Sequence, residues 1–79
     1  MQAEEVRQLL VAALPDCEVE VQGDGSHFDI RVVGEVFAGM NRVKRQQHVY
    51  AGLKAQIADG SIHAVNIKAL TADELRVRG

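Results

Sequence analysis

The stretch CEVEVQGDGSHFDIRV, residues 17–32, decides the fold. Cys17, Val19 and Val21 alternate with Glu18, Glu20 and Gln22, the period-two pattern of a strand buried on one face. Gly23-Asp24-Gly25-Ser26 is a strong turn signal. Phe28, Ile30 and Val32 then alternate against Asp29 and Arg31, so the two runs read as an antiparallel hairpin with a four- or five-residue loop.

On the N-terminal side, Val6, Leu9, Leu10, Ala13 and Leu14 recur at the spacing of one helical face. Glu4 and Glu5 fall in the first turn, where the helix dipole favours acids, and Pro15-Asp16 ends the pattern. A helix is predicted over residues 2–14. On the C-terminal side, Gly34 and Gly39 bracket a short connection holding Val36 and Phe37. Asn41 is placed to cap a second, longer helix whose positions Val43, Gln47, Tyr50, Leu53 and Ile57 share one face and which Asp59-Gly60 closes. His63, Val65 and Ile67 are in phase as a third strand, with Ala64, Asn66 and Lys68 on its other face. Thr71 caps a short last helix with Asp73 and Glu74 in its first turn.

The order is α-β-β-α-β-α, an α/β (α+β) chain predicted to form one domain over residues 1–79. Its simplest architecture is a three-stranded mixed sheet with helices on one face. If the second and third strands are parallel, the helix between them makes a right-handed crossover.

Seventy-nine residues suffice for one domain. A chain this short buries only about 60% of the surface its unfolded form exposes, which argues against an elaborate, water-excluded active site. Hydrophobic residues make up 47% and charged residues 25%, an ordinary globular balance. No apolar run approaches bilayer length and no signal pattern opens the chain, so a cytoplasmic protein is expected. The single cysteine, Cys17, precludes an internal disulfide and any cysteine-only metal site. Net charge is −2, yet residues 1–41 carry eight acids and two bases while residues 42–79 carry seven bases and three acids. One acidic and one basic surface are therefore expected.

Three histidines could carry chemistry. His27 opens the second strand and His63 the third. If those strands are parallel neighbours, ~4.8 Å apart, both imidazoles emerge at one edge of the sheet, within reach of one small ion or cluster. Strict alternation sets the two rings on opposite faces, and two histidines fall short of the three or four protein ligands usual for zinc. Spacing alone therefore leaves His63 open between a ligand and a core-edge residue bonded to backbone, and His27 open between a ligand and a solvated loop residue. His48, mid-helix, is assigned no chemistry.

A second constellation, Arg42, Lys44 and Arg45, stands at the start of the long helix, where free N–H groups and basic side chains attract phosphate. A solvated helix face fits the same residues. No aromatic interleaves with them to form a stacking platform. Cys17, facing inward on a strand, reads as an inert thiol. Ser26 and Ser61 lie in turns without a base–orienter arrangement, so nucleophilic catalysis is unsupported and no enzyme is expected.

The segment Gly60-Ser61-Ile62-His63-Ala64-Val65 resembles the G-x-I-H-A segment of BolA-like proteins. Phe37-Ala38-Gly39-Met40 followed by Arg42-Val43-Lys44-Arg45 is similar to that family's F-x-G…R-V-x-R stretch. Val49-Tyr50 and Leu53 match its long helix, and Asp24-Gly25-Ser26-His27-Phe28 is similar to the hairpin loop of its IbaG branch. The resemblance runs from about residue 4 to residue 75. Two segments depart from it: Thr71-Ala72-Asp73-Glu74-Leu75 replaces a T-P-E-x-W-like close, and Arg45-Gln46-Gln47 replaces R-H-R.

The resemblance implies a class II KH-like fold and association with a monothiol glutaredoxin. In that family the heterodimer shares a two-iron two-sulfur cluster, to which the glutaredoxin cysteine and glutathione give sulfur ligands. The BolA-like chain gives the histidine of the I-H-A segment, here His63, and sometimes a hairpin-loop residue, here His27. An adaptor for iron sensing or for cluster trafficking and maturation is thus the first expectation, the isolated chain being a monomer or weak dimer. The alternative is a DNA-binding transcriptional regulator of stress or envelope genes, with Arg42, Lys44 and Arg45 on phosphates.

Overall fold

Alternation and turn chemistry produce the expected hairpin. The computed structural model describes residues 1–25 and 27–78, the side chains of Asp24 and Arg78 excepted. Strand β1 (Glu18–Asp24) pairs antiparallel with β2 (His27–Val33) from Glu18 opposite Val33 to Asp24 opposite His27. Only positions 25 and 26 separate the strands, so the connection is shorter than the four or five residues predicted. Gly23 and Asp24 continue the ladder, their turn propensity overridden by pairing. Ser26 lies outside the described residues.

Strand β3 (Ala64–Leu70) joins β2 in parallel, giving the order β1-β2-β3. Helix α1 (Ala3–Ala13) begins where the Gln2 N–H donates to Glu5 Oε1 at 2.9 Å. Val6, Leu10, Leu14, Val19, Phe28, Ile30, Val32, Val49, Leu53, Ile62 and Ile67 form the core with Phe37, which sits in a single 3-10 turn at Glu35–Phe37. The sheet's other face is polar. There Arg31 donates to the directly opposite Glu20 at 2.6 Å, and Asn66 donates to Asp29 at 2.9 Å.

The long second helix is interrupted. Helix α2 (Arg42–Tyr50) gives way to a 3-10 turn at Ala51–Leu53 before α3 (Lys54–Ala58). Gly52 marks the break because α1 passes against it: a Cβ there would lie 2.9 Å from the Ala13 Cβ and 3.3 Å from Leu10 Cδ2. The buried face overlaps the predicted one only in part, Leu53 and the half-buried Tyr50 belonging to both. Val49 and Leu53 are fully buried and Arg45 and Gln46 half-buried, whereas Val43 is 63% and Ile57 37% exposed. The face chosen contains an arginine, which a hydropathy reading places outside. Asn41 caps α2 as expected, its Oδ1 accepting from the Lys44 N–H at 2.9 Å. Helix α4 (Ala72–Arg78) opens with a reciprocal box, in which Thr71 Oγ1 accepts from the Glu74 N–H and Glu74 Oε1 accepts from the Thr71 N–H. Among the described residues no helix is long and apolar enough to cross a membrane.

Candidate functional site

The parallel register sets the two histidines side by side. His27 is the partner of Ala64, so His63 stands one residue before it at the same end of the sheet. Both residues are exposed. None of the side-chain hydrogen bonds among the described residues involves either imidazole. Among the described residues the His63 imidazole is therefore exposed and unbonded, not a core-edge group held by backbone. Asp29 and Asn66 meet on the face that His27 and Ala64 share, and that parity, carried one residue back from the start of β3, sets His63 toward the other.

A small platform fixes the approach to His63. Ile62 is buried, and its N–H donates to the Gln56 carbonyl at 3.2 Å. Asp59 Oδ1 accepts from the Ser61 N–H at 2.8 Å, and bonds to Ser61 hold its carboxyl below the usual carboxylate range. Gly60 lies between them at φ +84°, a left-handed conformation costly for any side chain. A Cβ at Gly60 would stand 4.0 Å from His63 Nε2. Asp59-Gly60 was legible as a helix end; its second role, as a pedestal for His63, is visible only with Ile62 inserted in the core.

Two imidazoles suit iron in kind but not in number. Among the described residues no group of three or more His, Cys, Asp or Glu side chains could hold a metal ion. Cys17 cannot help, because β1 runs antiparallel and places it at the opposite end of the sheet, beside Gly34. Burial, and secondarily the nearby Asp16 charge, push its thiol pKa up, the opposite of the shift that activates a cysteine. His48 packs edge-on against Phe37, ring centroids 5.9 Å apart.

The three bases at the start of α2 separate. Arg42 and Lys44 are exposed, as a phosphate contact requires. Arg45 turns inward: its Nε donates to the Met40 carbonyl at 2.9 Å, and its Nη1 donates to the Ala69 carbonyl at 3.0 Å and to Glu74 Oε1 at 2.6 Å. A guanidinium so engaged ties α2, β3 and α4 together and is not available to a phosphate, which corrects its grouping with Arg42 and Lys44. The same bond to Arg45, helped by the Thr71 N–H, lowers the Glu74 pKa to about 2.

Comparison with known proteins agrees with this architecture. The sequence profile of the BolA-like protein family matches residues 11–74. The acid stress protein IbaG of Escherichia coli strain K12 is 54% identical over 74 residues, covering 94% of this chain and 88% of that protein. A bolA protein homologue from Coxiella burnetii superposes with a TM-score of 0.84 at 28% identity, covering 96% of this chain and 97% of that one. The BolA domain of SufE1 from Arabidopsis thaliana superposes with a TM-score of 0.78 at 28% identity, covering 91% and 93%. With the profile spanning most of the sequence and a relative more than half identical, the chain belongs to the BolA-like family.

Proposed function

We propose that this chain is a non-catalytic adaptor that binds a monothiol glutaredoxin and shares a two-iron two-sulfur cluster with it, His63 being its principal ligand. The observation that carries this reading is an exposed imidazole that is unbonded among the described residues, in a donor set that is incomplete among them. Such a site suits a centre whose remaining ligands come from a partner's cysteine and from glutathione. Ile62, Asp59 and Gly60 hold the backbone that presents the His63 ring. His27, one register step away on the neighbouring strand but on the opposite face, would be a second nitrogen donor only if the two strand ends relax that parity. When bound, a cluster ligated by imidazole in place of a thiolate has an altered charge and potential and a ligand that a proton can displace. The role that follows is iron sensing or cluster trafficking.

The test is reconstitution with a monothiol glutaredoxin, iron, sulfide and glutathione, followed by visible absorption and circular dichroism. The mixed complex is expected to give a spectrum distinct from that of the glutaredoxin alone. His63→Ala should abolish the difference, and His27→Ala should perturb it less. An unchanged spectrum in His63→Ala would remove His63 from the ligand set.

A further inference from the structure

Among the described residues no strand pairs with one side of β3. In the order β1-β2-β3, the third strand is an edge. Successive residues of a strand present their main-chain groups to alternate edges. Leu70 faces the β2 side, since its carbonyl accepts from the Gly34 N–H at 2.9 Å. Ala69 therefore faces outward, as its bond from Arg45 confirms. By the same parity Val65 and Ile67 turn both N–H and C=O to the open edge, and among the described residues no backbone group pairs with them there.

Beside that edge runs a cleft of about 540 Å³ whose lining includes Met40, Arg42, Gln46, Ile67, Lys68 and Glu74. Glu74 is neutralised by Arg45, which also closes the edge at Ala69. Arg42 and Lys68 are exposed and have no acidic partner among the described salt bridges.

We propose that the open edge of β3, flanked by Arg42 and Lys68, docks an extended acidic segment of a partner protein, which joins the sheet as a fourth strand. Main-chain pairing to Val65 and Ile67 supplies the register, and the two cations select the sign of the partner's side chains. A second copy of this chain is a poor occupant, because edge-to-edge pairing would bring Lys68 and Arg42 of both copies together; charged edge residues oppose self-pairing in this way. A single-stranded nucleic acid is also a poorer fit, since no aromatic lines the cleft to stack a base. The inference is independent of cluster binding and stands or falls on the edge alone.

The probe is a blocked decapeptide of alternating Glu and Val, titrated into the isotope-labelled chain and read by amide shifts and hydrogen exchange. It should protect the Val65 and Ile67 amides while Asn66 and Lys68, already turned to β2, stay unchanged. N-methylation of alternate peptide nitrogens should weaken binding by about tenfold or more. The double variant Arg42→Glu with Lys68→Glu, its hairpin amide shifts intact, should prefer a Lys-Val decapeptide. Equal binding of the N-methylated peptide would overturn the proposal. So would shifts confined to other elements, a preference for a ten-nucleotide oligothymidylate, or retained choice of the acidic peptide by the double variant.

Discussion

The two ends of β3 each carry polar side chains and treat them oppositely. At its end, Arg45, Glu74 and Thr71 bond one another and the carbonyls of Met40 and Ala69 until every member is engaged. At its start, the His63 imidazole is exposed and makes no hydrogen bond among the described residues, although the backbone beneath it is fixed by Asp59 and Ile62. A polar group that folding has satisfied is spent on stability. One that folding has positioned and left free is available to a partner.

Breaking the closed end should have the largest effect on the fold. Arg45→Ala strips charged donors from two carbonyls and should cost about 2 kcal/mol of unfolding free energy, measured by urea denaturation. Arg45→Lys should recover only part, because an ammonium cannot reproduce the fork. Gly60→Ala forces a side chain into left-handed backbone and should cost about 1 kcal/mol, with amide shifts concentrated at Ser61–Ala64. Next comes acid sensitivity. With its folded pKa lowered to about 2 from 4.5, Glu74 contributes stability above 4.5 that is lost as pH falls toward 2. Glu74→Gln should flatten that limb of the stability curve. The smallest effect belongs to the open end: His63→Ala should change stability by less than about 0.5 kcal/mol, as expected for an exposed side chain.

What the sequence disclosed follows the same division. The hairpin strands and the caps at Asn41 and Thr71 were legible because each rests on local periodicity or on a single side chain's bond to nearby backbone, whereas the shared edge of His27 and His63 hung on a parallel pairing that only the sheet supplies. The buried face of α2 was not legible. Val43 and Ile57 belong to the apolar stripe yet lie exposed, while the helix buries Val49 and turns Arg45 half inward, a choice made by Glu74 and Ala69 more than twenty residues away. The break at Gly52 was hidden for the same reason, since it depends on how closely α1 passes. His63 could be located from its strand, but its freedom from hydrogen bonds is a property of all its neighbours together.

The most direct test of this division uses two variants and two readouts. His63→Ala and Arg45→Ala are each assayed for unfolding free energy and, at a temperature where both remain folded, for the visible circular dichroism of the complex reconstituted with monothiol glutaredoxin and cluster. His63→Ala should lose the mixed-complex spectrum at near-unchanged stability, and Arg45→Ala should lose stability while keeping the spectrum. A His63→Ala protein that retains the spectrum, or an Arg45→Ala protein that loses it while still folded, would contradict the assignment of function to the open end of β3.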